Sequence, residues 1–265
     1  MPGLTYPIPH LPMLGKGSIL IDIFDASGNP TKSYLHLGNC HKLEIDIKDD
    51  IAELYQSLNK SVSLIATALK KRQPGVAITG TDFSSDHMAV VQMAGLKTTL
   101  TQTVQTITAE ALLSATAAKK GRYGRTLNGN LDVSLSANTV VHQGVTTLVQ
   151  GTDYVIADPV IGLIYFPATS AVVEATAVTI DYKTLAATRD QVAPGTQPYV
   201  KCALHFDPDP TDGQKIAVDI WRMNFNPSGP VGFIADDYGN WQLKGMILDD
   251  TANHPLSPYG LETFY

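Results

Sequence analysis

Apolar and polar side chains alternate one for one along residues 41–48, with Leu43, Ile45 and Ile47 in one set and Lys42, Glu44, Asp46 and Lys48 in the other. A period of two puts the sets on opposite faces of a pleated strand, one buried and one strongly charged. Residues 18–24 carry the same signature, with Ile19, Ile21 and Ile23 on one side and Asp22 opposite. Asp25, Ser27, Gly28, Asn29 and Pro30 then supply a turn, and residues 31–37 return as the hairpin partner. Gly38 and Asn39 tolerate positive backbone angles and make the next break.

At Asp50 the period changes. Ile51, Leu54, Tyr55 and Leu58 recur at helical spacing, and Glu53 follows Asp50 by three as in a capping box, so the pattern predicts a short amphipathic helix over 51–59. Residues 76–83 read as a strand. Ser84 or Ser85 caps a second helix, with Asp86 in its first turn, Gly95 at its end and Phe83, Met88, Val91 and Ala94 facing inward. Residues 96–107 alternate threonine with apolar positions, and the alanine-rich stretch 109–118 fits helix or loop.

From there the chain is punctuated β. Residues 139–142, 146–149, 153–157, 163–166 and 178–182 are strand-like and separated by Gly144, Gly151, Pro159 with Gly162, and Pro167. A connector over 189–198 precedes four further strands at 201–206, 215–222, 231–235 and 241–248. Short strands at this spacing predict a mainly β fold, sandwich or barrel. Pro2, Pro7, Pro9 and Pro12 mark residues 1–15 as an extended arm ahead of a β domain over 16–265.

Composition narrows the chemistry. The chain has 265 residues, 44% of them hydrophobic, enough for a substantial core. No run of about 18 apolar residues offers a membrane span. A net charge of −6 disfavours grip on nucleic acid through phosphate neutralisation. Cys40 and Cys202 stand far apart and fit neither a zinc site nor a disulfide framework, so both read as reduced, buried thiols. The seven histidines form no ligand pair at helical spacing, and nucleophile elbows and phosphate-cradling glycine loops are lacking. The expectation is a protein without cofactor, metal or catalytic residues. Lys119, Lys120, Arg122 and Arg125 crowd around Tyr123, a composition shared by single-strand nucleic-acid binders and by solvated loops that pair with acidic turns such as Asp236 with Asp237, or Asp249 with Asp250, on a neighbouring copy. Trp221, Trp241 and Tyr238 are the candidate stacking platforms of an alternative reading, a carbohydrate-binding β-sandwich.

Taken in order, the chain offers a hairpin, the Leu37-Gly38-Asn39 turn, the charged alternating strand, the Glu53-Leu54-Tyr55-Gln56-Ser57 segment, a strand ending Thr81-Asp82-Phe83, and a Ser-capped helix closing at Gly95. Gly151-Thr152-Asp153-Tyr154-Val155 leads to Gly162-Leu163-Ile164-Tyr165-Phe166, and Gly239-Asn240-Trp241-Gln242-Leu243-Lys244-Gly245 leads into Asp249, Asp250 and Pro255. This arrangement resembles the tail tube proteins, or major tail proteins, of long, non-contractile-tailed bacteriophages. The resemblance implies a β-sandwich with one flanking helix that closes into hexameric rings, stacked as a hollow tube around a tape-measure protein. It further implies tail terminator and distal tail proteins as partners, double-stranded DNA passing without sequence-specific binding, assembly in the host cytoplasm and residence in the virion tail. Under it, Asp22, Lys42, Glu44, Asp46 and Lys48 face the lumen. Ile51, Leu54, Tyr55 and Leu58, with Lys119, Lys120, Arg122 and Arg125, serve contacts between subunits or rings, and residues 119–198 form an outer insertion. Twenty-four strands in a ring, tilted by about 40°, give a backbone diameter of roughly 48 Å, wide enough for a duplex. A distal tail or decoration protein is the neighbouring alternative.

Overall fold

The computed structural model describes residues 15–56, 63–234, 236 and 238–265. In chain order it forms β1 (Gly17–Ile23), β2 (Tyr34–His36), β3 (Cys40–Gln56), β4 (Ser63–Gly80) and the helix α1 (Ser85–Val91). There follow β5 (Thr98–Gln102), β6 (Thr106–Leu113), β7 (Arg122–Arg125), a 3-10 turn at Ser136–Asn138, β8 (Thr139–Gln143) and β9 (Thr146–Thr147). Then come β10 (Val155–Asp158), β11 (Leu163–Phe166), β12 (Val178–Lys183) and β13 (Ala187–Gln191). The chain closes with β14 (Val200–Pro208), β15 (Ile216–Pro227), β16 (Trp241–Ile247) and β17 (Gly260–Phe264). The fold is mainly β, and α1 is the one α-helix among the described residues. Among these residues no sheet closes into a barrel and no helix is long and apolar enough to cross a membrane. Two compact units divide the chain, one of residues 1–98 with 191–265 and the other of residues 99–190. The second unit therefore begins well before the expected insertion boundary at 119.

The first unit is an antiparallel sheet in the order β2-β1-β14-β15-β16-β4-β3, with β17 pairing β15 beyond the end of β16. Period-two patterning sorts its faces. Ile45, Val76, Gly245, Phe225 and Val200 occupy one cross-strand row of the inner face. Asp46, Gly75, Met246, Asn224 and Lys201 occupy the adjoining row of the outer face. The inner face, with Met88, Val90 and Val91 of α1, makes one hydrophobic core that includes Ile21, Leu37, Ile78, Leu204, Trp241 and Leu243. The sheet bends so far that Leu43 and Ile45 of β3 share a cleft of about 540 Å³ with Ile19, Phe206 and Val218.

Local chemistry fixes the turns. Gly38 sits at φ +69°, and a Cβ there would meet the Asp82 carboxylate at 2.3 Å. The Ser84 hydroxyl accepts from the His87 N–H at 3.2 Å, capping α1 as the sequence indicated. Met88, Val91 and Ala94 are buried, whereas Phe83 is exposed, so the inward face starts one turn later than expected.

Two sequence expectations fail. The helix over 51–59 is instead the outer half of β3, paired with β4 from Ile51↔Leu69 to Gln56↔Ser63 with one bulge at Ile65; Leu58 lies outside the described residues. An isolated helix of nine residues is marginal in water, and the β-prone Leu64, Ile65 and Thr67 supply a ladder that outcompetes it. The strand at 231–235 is absent over its described residues 231–234, where Gly229, Pro230 and Gly232 interrupt any ladder.

In the second unit the sheets β10-β11-β7 and β6-β12-β8-β9 pack around Leu112, Val141, Tyr154, Ile164, Phe166, Val178, Ile180 and Tyr182. The expected hairpin from 153 to 166 is β10 and β11, and the undecided stretch 109–118 contributes the end of β6.

Candidate functional site

β3 and β4 form the longest hairpin of the chain, and only part of it is covered. β16 pairs β4 from Gly80 to Gly75 and stops, so from Pro74 outward the hairpin is a two-stranded ribbon. Eight residues of β3 from Asp49 to Gln56 at about 3.3 Å each extend it by roughly 26 Å. Ile47, Ile51 and Tyr55, with Leu69 and Leu64 opposite the last two, lie on the inner side of the ribbon interleaved with Asp49 and Glu53, while Leu54 lies on the other face and Ile65 is the extra residue of a bulge. None of these is buried: Ile47 is 64% exposed, Leu54 60% and Ile65 58%. Summed over both faces of the ribbon, on the order of 600 Å² of apolar surface stands in water, taking each half-exposed side chain at roughly 90 Å².

Polar groups hold the ribbon in register. Arg72 donates two hydrogen bonds of 2.9 Å to the Asp49 carboxylate directly across the ladder. Those bonds hold the Asp49 carboxyl below the usual carboxylate range. The Tyr55 hydroxyl donates to Glu53, which raises the Tyr55 pKa.

The polar face of the sheet receives four of the five expected lumen residues. Lys42, Glu44, Asp46 and Lys48 are exposed on one side of β3, paired internally as Lys42 with Glu44 and Lys48 with Asp46, both at 2.9 Å. Register extends that side through Gln242, Lys244, Asn224, Asn226 and Lys201 of the neighbouring strands, which sequence reasoning missed although Gln242, Lys244 and Met246 carry the same alternation. Asp22 is the exception, being buried at 2% exposure. Its carboxylate accepts from the Thr31 hydroxyl and N–H and from the Lys32 N–H at 2.8 Å, so it closes the loop ahead of β2 and does not face solvent. Without it the Thr31 and Lys32 N–H groups would lose their acceptor under the loop.

The basic cluster disperses. Lys119 is fully buried, and its ammonium donates to the carbonyls of Ala115, Ala117 and Glu174, so it cannot serve a contact between subunits. Lys120, Arg122 and Arg125 are exposed. Tyr123 pairs across the ladder with Tyr165 at a centroid distance of 4.7 Å. Of the acidic turns named as counterparts, Asp250 is buried and held by His254 and Asn253; Asp237 lies outside the described residues.

Two of the three stacking platforms of the carbohydrate reading are occupied, whereas Tyr238 is exposed. Trp241 is wholly buried and its indole N–H donates to the Asp82 carbonyl at 2.7 Å. Trp221 lies flat against the His254 ring at 4.0 Å and donates to the Ser257 carbonyl. Cys202 is buried, and burial first, then Asp82, pushes the half-buried Cys40 thiol up to about 11. Among the described residues no three metal-ligating side chains converge.

One further apolar group stands bare in the first unit. The connection between β15 and β16 exposes Phe233, Ile234 and Tyr238, with Phe83 beside Phe233 at 6.4 Å between ring centroids. Sequence pattern had absorbed this segment into a strand.

A family model described as a protein of unknown function, UCP028589, matches residues 12–261 of the chain. No curated protein matches it.

Proposed function

The chain belongs to that family of unknown function, and we propose that it is a structural subunit that assembles into stacked hexameric rings, forming the hollow tail tube of a bacteriophage. The observation that carries this reading is the two-stranded ribbon beyond Pro74. A hairpin with no third strand among the described residues and exposed apolar side chains on both faces is marginal in water by itself, and further copies of the chain supply its cover. Among the described residues the sheet also ends in two open edges, β2 and β3, which are aggregation hazards in a monomer and joining surfaces in a ring.

In such a ring the face bearing Lys42, Glu44, Asp46, Lys48 and Lys244 lines the passage. Lys42 pairs with Glu44 and Lys48 with Asp46, so along β3 a DNA backbone finds no continuous cationic track on which to release counterions and stick. The tape-measure protein fills the bore during assembly, and tail terminator and distal tail proteins cap the ends. The work of the molecule is geometric, and no residue of it reacts.

Electron microscopy and sedimentation velocity of the purified protein across salt and concentration test this. Rings about 48 Å across at the β-wall, or tubes built of them, are expected. Disperse monomers under every condition overturn the proposal.

A further inference from the structure

In the second unit the sheet β10-β11-β7 has one side in the core and one side bare. Ile164 and Phe166 are fully buried, and a Cβ on Gly124 would meet the Leu112 side chain at 2.7 Å, so these positions mark the inner side. The residues between them stand on the other side. Register puts Val155, Tyr165 and Tyr123 in one row across the three strands, and Leu163 beside Arg125 in the next. Tyr123 is 56% exposed, and its ring lies 4.7 Å from that of Tyr165 between centroids, with the planes 38° apart. Neither phenol hydroxyl has a hydrogen-bond partner among the described residues. Arg122 and Arg125 flank Tyr123 along β7, both exposed and both without an ion pair among the described residues. Arg125 is steadied by one hydrogen bond, from its Nε to the Ile161 carbonyl at 3.2 Å.

We infer that this face binds an acidic polysaccharide: a pyranose packs its C–H side on the Tyr123 and Tyr165 rings, and the Arg122 and Arg125 guanidinium groups donate to the carboxylate or phosphate that the sugar carries. The two kinds of group together select this partner. A phenol offers an apolar face and a polar tip, and a pyranose offers the same pair of surfaces in return. A guanidinium donates two parallel hydrogen bonds to a carboxylate or phosphate. An acidic turn of a neighbouring copy would satisfy the arginines and leave the rings bare. Single-stranded nucleic acid would cover both, but it carries a phosphate at every nucleotide and is held along a continuous cationic groove. Residues 99–190 hold six Lys and Arg against seven Asp and Glu, and Lys119 among the six is buried, so the unit has no such groove to offer. Two arginines beside one ring pair match a polymer with about one charge per sugar. The face lies wholly within the second unit, and the inference stands whether or not the chain builds tubes.

Titration calorimetry of the full chain tests this with four probes: an oligogalacturonate, its full methyl ester, a phosphate-bridged oligomannoside and oligo-dT. At least one of the two acidic glycans is expected to bind, and which one does so tells carboxylate from phosphate. The methyl ester, with the same rings and no charge, is expected to bind at least about tenfold more weakly than the oligogalacturonate if the latter is the ligand. Tyr123→Ala is expected to weaken binding by about 5- to 150-fold, the range of stacking on one aromatic ring. Tyr123→Phe keeps the ring and is expected to stay within about twofold of wild type. The double variant Arg122→Gln, Arg125→Gln is expected to lose the preference for the charged glycan. All of these positions are exposed, and circular dichroism checks that each variant folds. Failure of both acidic glycans to bind at millimolar concentration, full affinity in folded Tyr123→Ala, or tighter binding of oligo-dT than of either glycan overturns the inference, the last in favour of nucleic acid.

Discussion

Asp22 shows how one side chain is misread when only its strand is considered. By alternation it belongs with the polar set of β1, and its backbone register agrees. What removes it from the surface is the loop of residues 25–33, whose Thr31 and Lys32 N–H groups need an acceptor. Replacing Asp22 by Ala orphans those donors, and denaturant unfolding is expected to show a loss of about 1–3 kcal/mol. A solvent-facing lumen residue would show almost none. Asp250 makes a second residue-scale case. Burial pushes its carboxyl up, but hydrogen bonds from His254 and Asn253 with Arg222 nearby outweigh this and leave it below the usual value. A carboxylate with a depressed folded-state pKa adds stability above its unfolded pKa of about 3.9 and loses it as pH falls through the folded value. Thermal melts of wild type and Asp250→Asn are therefore expected to differ most near neutral pH and to converge in acid below about pH 4. A gap that is constant across pH would contradict the assignment.

At the scale of elements, the β3–β4 hairpin divides into a base that belongs to the core and an outer half that does not. Its base, from Cys40 to Ile47 and from Pro74 to Gly80, is built into the core through Leu43, Val76 and Ile78. Its outer half contributes no residue to that core. Replacing residues 49–72 by an Asn-Gly turn joins Lys48 to Gln73, which already stand opposite each other. The shortened protein is expected to keep the melting temperature of the first unit within about 2–4 °C while forming no tubes in the microscope. A collapse of stability would mean that the ribbon belongs to the fold and not to its surface. This element is also where sequence reasoning erred most. Ile51, Leu54 and Tyr55 satisfy a helical spacing and a strand spacing alike, and in a stretch this short the partner strand decides. What does not change with the element is that they are apolar and uncovered.

For the molecule as a whole, the two hydrophobic cores share no residue, and each lies within one compact unit. The ends of the second unit meet: β5 pairs with β13, and the Thr99 hydroxyl donates to Asp190 at 2.9 Å. Closed ends and a private core are the marks of a module that folds alone. Residues 99–190 expressed by themselves are expected to unfold in one cooperative transition with near-ultraviolet dichroism from Tyr154 and Tyr182. A non-cooperative melt would contradict the division. The resemblance set an insertion at 119–198, whereas the second unit spans residues 99–190; the Thr-rich alternation of 96–107 and the alanine-rich 109–118 show no boundary to a reader of single residues. The boundary is made by β5 and β6 choosing β13 and β12 as partners, far along the chain.

The amino-acid order by itself determined the class of fold, the inner and outer faces of β1, β3 and β16, the cap of α1 and the turn at Gly38, because each follows from a period or a conformational preference carried within a few neighbouring residues. Tertiary structure alone decided that Asp22 and Lys119 are interior, that Trp221 and Trp241 are covered, and that the outer hairpin is a ribbon. Burial of a charge depends on acceptors and donors delivered by distant segments, and strand pairing depends on a partner, and neither is encoded at the position where its effect is felt.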